Sequence, residues 1–312
     1  MHNFILQSIL PPMLTPFREN GDARHGGQVD YDAFVKNIEL WNQTPLAGYL
    51  VLGSNSETPY LTEEEKLKLV ELTVQSTAKD RIILAGTGLE STRETIRLTN
   101  AAAKCGAHAA LIVTPFFYGA QMTDAALIRH YTVIADAAEI PILIYNVPKF
   151  THLNISVEAV KTLGQHPNIA GMKDSRGDVA QLEAFKKVVP KEFNLIVGSA
   201  SILYPTLSFG IRAGILALAN CAPVQCAEIQ RLFEDGKHFA AQELQATLIP
   251  VNKAVTDTFG VAGLKYACTL LGYNGGFPRS PLLPLSKDEQ QSIQQILVQS
   301  GLLATPHHGE HR

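Results

Sequence analysis

A (β/α)8 TIM barrel with a C-terminal helical extension is the α/β fold that this 312-residue sequence predicts. Three observations carry that expectation. Eight apolar runs recur through the first two thirds of the chain, at 9–17, 46–54, 82–88, 109–115, 141–147, 169–175, 195–200 and 214–220. They are nearly continuous in Val, Ile, Leu and Ala, as parallel strands covered on both faces are, and do not alternate as half-exposed strands do. Segments of helical periodicity with recognisable ends separate them. A doubly wound open sheet is the runner-up. It calls for a Gly-rich phosphate turn after the first strand, and Leu14-Thr15-Pro16-Phe17 supplies none.

The helix ends are written in the sequence. Asp30 stands where an N-cap belongs before Ala33, Phe34 and Ile38. Thr62 with Glu65, and Ser91 with Glu94, have capping-box spacing. Gly106 and Gly164 occupy positions where a left-handed C-cap is wanted. From about Pro223 strand signals stop, and helical patterns follow at 224–235, 238–258, 262–271 and 287–300. Pro250 is placed to break the second of these. Ser286 and Glu289 form another capping box, Gly301 closes the last helix, and 272–280 is a turn-rich link. The division expected is a site-bearing barrel over 1–223 and a helical region over 224–312, which covers the barrel flank or helps to assemble an oligomer.

Composition narrows the function classes. Apolar content of 46% suits a packed core, and a net charge of -3 without a basic block argues against nucleic acid as a partner. No apolar run approaches a membrane span, and Met1-His2-Asn3-Phe4-Ile5-Leu6 has neither the basic start of a secretion signal nor transit-peptide character. A cytoplasmic protein is expected. Cys105, Cys221, Cys226 and Cys268 are scattered without CxxC or finger spacing, so reduced thiols and no metal site are expected. His307, His308 and His311 lie in a polar tail.

Barrel chemistry gathers at the carboxyl ends of strands. The second strand runs into Gly53-Ser54-Asn55-Ser56-Glu57, the fifth into Tyr145-Asn146-Val147-Pro148, and the sixth into Gly171-Met172-Lys173-Asp174-Ser175. Lys173 is the one lysine at the end of a core strand, where burial disfavours an ammonium and frees an amine to attack a carbonyl. Ser54 and Asn55 offer donors for a small carboxylate, and Tyr145 a phenol to carry protons. Each has a plainer alternative: a snorkelling lysine, ordinary turn residues, an aromatic of the barrel layers. Glu57 reads as a local cap or pairing residue. An amine, an anion cradle and a phenol together suffice for imine formation with a 2-oxo acid, with no cofactor.

At these residues the sequence resembles the family of dihydrodipicolinate synthase and N-acetylneuraminate lyase, the pyruvate-dependent class I aldolases. The likeness covers nearly the whole chain, with Gly53-x-x-x-Glu57, Tyr145-Asn146-Val147-Pro148, Gly171-Met172-Lys173-Asp174 and Ala217-Leu218-Ala219-Asn220 in family order. Gly53-Ser54-Asn55, His166-Pro167-Asn168-Ile169, Gly177-Asp178-Val179 and Gly198-Ser199-Ala200 look most like 4-hydroxy-2-oxoglutarate aldolase, with 2-keto-3-deoxy-sugar-acid aldolases similar around Gly53. The resemblance implies a Schiff base on Lys173, a proton shuttle at Tyr145, and carboxylate binding by Ser54 and Asn55, with Ser54 also in the relay. It implies Ser175 near the distal part of the substrate, the Ile215 backbone lining the pyruvyl pocket, no cofactor, and a homotetramer built as a dimer of dimers.

Two positions depart from the family pattern. Dihydrodipicolinate synthases carry an arginine where Phe150 stands, gripping the aldehyde's carboxylate. A tyrosine that completes the relay across a subunit boundary is replaced by Phe117 within Thr114-Pro115-Phe116-Phe117-Tyr118. The expected activity is cleavage of a 4-hydroxy-2-oxo acid to pyruvate and an aldehyde. The alternatives are dihydrodipicolinate synthesis and non-catalytic binding of a 2-oxo acid.

Overall fold

The computed structural model describes residues 5–19 and 27–304; the tail histidines and residues 1–4 lie outside them. Eight parallel strands form the sheet: β1 (Ile9–Leu10), β2 (Gly48–Val51), β3 (Ile82–Gly86), β4 (Ala109–Val113), β5 (Ile142–Asn146), β6 (Ile169–Asp174), β7 (Asn194–Val197) and β8 (Ala213–Ile215). Sequential neighbours pair from β2 to β8, and β8 pairs with β1. The ring is completed between β1 and β2, where the Ala47 N–H donates to Ile9 O at 3.2 Å, that of Leu50 to Pro11 O at 3.1 Å, and that of Met13 to Leu50 O at 2.8 Å. The TIM barrel that the apolar runs predict is therefore the fold observed, with helices at its carboxyl-terminal end.

Around it lie α1 (Tyr31–Trp41), α2 (Glu63–Ser76), α3 (Thr92–Lys104), α4 (Asp124–Ala137), α5 (Pro148–Thr151), α6 (Val157–Leu163), α7 (Val179–Val188) and α8 (Leu203–Ser208). The C-terminal region adds α9 (Pro223–Glu234), α10 (His238–Lys253), α11 (Gly260–Leu270) and α12 (Lys287–Gln299). Two apolar layers result. Leu10, Leu50, Leu84, Leu111, Leu143, Ile196 and Ile215 fill the barrel, while Val51, Ile112, Ile144, Met172 and Val197 point outward onto the helices. Burying each such side chain contributes roughly 1.5–3 kcal/mol. Trp41 ties the layers to the C-terminal link. Its indole N–H donates to Asn220 O at 3.0 Å, and its ring lies between Tyr49 and Tyr273.

Several local expectations are corrected. The first strand is only two residues long, because Pro11 and Pro12 bring no N–H to the ladder. The last strand ends at Ile215, and Ala217–Asn220 is a 3-10 turn whose Asn220 side chain accepts from the Leu14 N–H and donates to Pro12 O. Gly106 is left-handed as expected, at φ 103°, but Gly164 stays right-handed at φ -65° with its N–H bonded to Val160 O. Pro250 does not break its helix; α10 continues through it to Lys253, and a π turn, Ala254–Thr258, follows. The boxes at Thr62 and Ser286 close in both directions. At Ser91 only the hydroxyl half forms, since Arg97 occupies the Glu94 carboxylate at 2.7 Å.

Candidate active site

The register of β5 on β6 sets Tyr145 opposite Lys173 and Asn146 opposite Asp174. Strand alternation then sends the first pair inward and the second outward. Tyr145 packs in the barrel with Leu143, Val147, Ile196 and Ile215. Lys173 is 4% exposed, and its Nζ lies 4.3 Å from the centroid of the Tyr145 ring. The phenol oxygen is 3.4 Å from Ser54 Oγ, and Ser175 and Lys173 are near enough to favour its ionised form. Burial pushes the Tyr145 phenol up, but the Lys173 charge and the Ser54, Ser175 and Lys173 hydrogen bonds outweigh it, leaving the phenol below its ordinary value. A phenol so placed beside an amine is positioned to carry protons for chemistry at that amine.

The strand-two turn is held stiffly. Ser54–Ser56 is a single 3-10 turn that ends at Glu57, whose φ of 55° is left-handed. Ser56 Oγ donates to Met13 O at 2.6 Å, and Thr58 Oγ1 to Gly53 O at 2.9 Å. Asn55, half-buried, sits in the middle of this turn beside Ser54. Glu57 does not pair locally. It is buried against Lys265 of α11, with a carboxylate–amine separation of 2.5 Å.

On the outer side of the same two strand ends, Asn146 Nδ2 donates to Asp174 Oδ1 at 2.6 Å and to Asn154 Oδ1 at 2.9 Å. Burial pushes the Asp174 carboxyl up to about 6, against the pull of the Asn146 bond and Arg176. Sequence reasoning missed this pair and the Glu57–Lys265 pair. A signal for the first was present, since residues that follow inward-facing Tyr145 and Lys173 must face outward.

Of the residues that the sequence singled out, Lys173, Tyr145, Ser54 and Ser175 meet. Ser175 is pressed close to Gly198, where an added Cβ would overlap its Oγ. Ile215 is fully buried in the same inner cluster as Tyr145. Phe117 and Phe150 stand apart, 73% and 50% exposed. Phe117 meets Tyr118 edge-on at 5.0 Å, on a loop whose Phe116 and Phe117 N–H groups donate to the Glu90 carboxylate. Phe150 begins the rim after β5, where its neighbour Lys149 donates to Thr256 O at 2.6 Å and to Asp257 at 2.9 Å. Among the described residues no cluster of three or more His, Cys, Asp and Glu side chains is arranged to hold a metal, and no helix is long and apolar enough to cross a membrane. All four cysteines are free thiols.

The model of the dihydrodipicolinate synthetase family matches residues 5–300. The chain belongs to that family. A 4-hydroxy-tetrahydrodipicolinate synthase of Rhizobium meliloti is 34% identical over 299 residues, which is 94% of this chain and 98% of that protein. The synthase structure from Methylacidiphilum fumariolicum superimposes with a TM-score of 0.85 at 30% identity, covering 96% of each chain. A chloride-inhibited synthase of Acinetobacter baumannii, solved in complex with pyruvate, gives 0.87 at 28% identity, covering 96% of this chain and all of that one. Membership makes this protein an enzyme of the pyruvate-dependent class I aldolase type, within the carbon–carbon lyases.

Proposed function

We propose that this family member cleaves a 4-hydroxy-2-oxo acid, such as 4-hydroxy-2-oxoglutarate or a 2-keto-3-deoxy sugar acid, to pyruvate and an aldehyde through an imine on Lys173. The observation that carries the proposal is the buried Lys173 amine against the Tyr145 ring, with that phenol 3.4 Å from Ser54 Oγ. Lys173 Nζ adds to the C2 carbonyl, and water leaves as the protonated imine forms. Tyr145, deprotonated, takes the C4 hydroxyl proton. The C3–C4 bond then breaks, its electrons enter the imine, and the aldehyde departs from an enamine. Protonation of C3 and hydrolysis of the imine release pyruvate and restore the amine. The imine is itself the electron sink, so no cofactor enters. Ser54 and Asn55 hold the carboxylate, the Ile215 backbone walls the pyruvyl pocket, and Ser175 lies toward the distal end of the substrate.

Substrate choice rests on the rim. Phe150 offers no ion pair to an aldehyde's carboxylate, and adjacent Lys149 is engaged by Thr256 and Asp257. That supports the 4-hydroxy-2-oxo acid aldolase. The names of the relatives support the other reading, condensation of pyruvate with aspartate semialdehyde. A homotetramer, as a dimer of dimers, gains support from the exposed Phe116-Phe117-Tyr118 loop. Phe117 cannot carry a proton, so Tyr118 or water completes the relay.

The test is incubation with pyruvate, borohydride reduction and mapping by mass spectrometry, with Lys173→Ala as control. A single reduced adduct on Lys173 is expected; none, or one elsewhere, overturns the proposal. A panel of 4-hydroxy-2-oxo acids and aspartate semialdehyde then separates the two readings, and efficient condensation of the semialdehyde would establish the second. An imine without turnover of any of them would mark a non-catalytic binder.

A further inference from the structure

The turn that carries Ser54 and Asn55 is anchored at one end by a charge that the proposed reaction never uses. Glu57 is 2% exposed, and its ion pair with Lys265 is shut away from water on both sides. Its second carboxylate oxygen accepts the Arg279 N–H at 2.8 Å. Lys265 also donates to Phe277 O at 2.6 Å, and its Nζ lies 4.4 Å from the Phe17 ring, with the Arg279 guanidinium 4.3 Å from that ring. Arg279 runs on to Gly27 O, Tyr60 O and the Glu65 carboxylate. The Glu57–Lys265 pair, the Arg279 backbone N–H and the Arg279–Glu65 pair thus join the strand-two turn to α11, the C-terminal link and α2.

Stability alone gives no reason for this arrangement. Two ions taken out of water gain little over an apolar pair of the same volume. What the pair supplies is direction, because a carboxylate held from two sides fixes the residue that bears it. Glu57 adopts a left-handed backbone that side chains ordinarily avoid, and its N–H closes the turn onto Ser54 O at 3.1 Å. Holding Glu57 in that conformation sets where the Ser54 and Asn55 donors point. The other ties of the turn, Ser56 to Met13 and Thr58 to Gly53, flank Glu57 without engaging its carboxylate.

We propose that Glu57 is a positioning residue for carboxylate recognition, holding the Ser54–Asn55 turn through Lys265 and Arg279, so that the C-terminal helical region sets the enzyme's affinity for 2-oxo acids. The inference rests on the imine reading above. It places part of the substrate-binding apparatus outside the barrel, in residues that touch no substrate.

The experiment compares borohydride trapping of two carbonyl compounds by wild type and Glu57→Gln. Pyruvate has a carboxylate for the cradle to hold; acetone has none. In Glu57→Gln the half-saturating pyruvate concentration should rise about tenfold or more, with the maximal trapped fraction within about threefold and acetone trapping unchanged. A role confined to stability would lower trapping of both compounds alike or of neither. Should Glu57→Gln not fold, Lys265→Met, in which Glu57 keeps the Arg279 N–H, is measured by the same criteria. Wild type that traps no pyruvate overturns the imine reading and this inference with it. Wild type that traps pyruvate, beside a variant whose pyruvate half-saturation is unmoved or whose acetone trapping falls equally, overturns this inference alone.

Discussion

Tyr145 and Lys173 are register partners on adjacent strands, and the lysine Nζ stands 4.3 Å from the centre of the phenol ring. They lie 28 residues apart in the chain, and no local feature of the sequence brings them together. The parallel ladder does it. Rigid strands set the spacing, and the loops beyond them are free to vary with the substrate.

The Tyr145 hydroxyl is separable from its ring. Tyr145→Phe keeps the packing in the barrel and removes the group that carries the C4 proton. Turnover of a 4-hydroxy-2-oxo acid should fall about 10²–10⁴-fold, while pyruvate remains trappable on Lys173. Steady-state assays and adduct mapping on the same preparation check both. Full turnover without the hydroxyl would remove Tyr145 from the relay.

Gly198 is required by Ser175. A methyl there meets the Ser175 Oγ and also comes within 2.8 Å of Asp174 O, which is backbone and cannot swing aside. Gly198→Ala should cost about 1–3 kcal/mol in stability. It should also displace the Ser175 hydroxyl, which helps to hold the Tyr145 phenol below its ordinary value. Losing a group that favours the phenolate raises the Tyr145 value, so the pH profile of turnover should move to higher pH. Denaturation curves and that profile are the measurements; an unmoved profile would show that Ser175 does not tune Tyr145.

Asp174 gives a stability signature with a defined sign. Its carboxyl is raised by burial from 3.8 to about 6. The folded state therefore holds the proton more tightly than the unfolded state. The contribution is full below the unfolded value and is lost as pH rises toward 6, a change of roughly 3 kcal/mol. The stability of Asp174→Asn relative to wild type should rise by about that amount between pH 4 and 7. Urea denaturation across that range tests it, and a flat difference would refute the shift.

Glu57 and Lys265 should show strong coupling. Removing either charge leaves the other buried and unpaired, at a cost of about 3–5 kcal/mol. Removing both, as Glu57→Gln with Lys265→Met, should cost far less than the sum. A double-mutant cycle on unfolding free energies reads the coupling directly. Additive losses would mean that the two charges do not depend on each other in the fold.

What could be read in the sequence was local. Continuous apolar runs mark strands covered on both faces, and helix caps mark the segments between them, because side-chain periodicity and capping depend on residues within a few positions of each other. Lys173 was legible for the same reason: one lysine at the end of one apolar run. Tertiary structure decided what depends on distant neighbours. The partner of Glu57 is a lysine in α11, and nothing near Glu57 in the chain announces it. Asn146 finds Asp174 only through the register of β5 on β6. Gly164 had the expected residue type for a left-handed cap, but the backbone there closes right-handed. Pro250 stands inside a helix that runs on to Lys253, and the break in regular winding comes later, at Ala254–Thr258. A sequence can specify its strands residue by residue, but which side chains meet across a closed barrel is set by the geometry of closure.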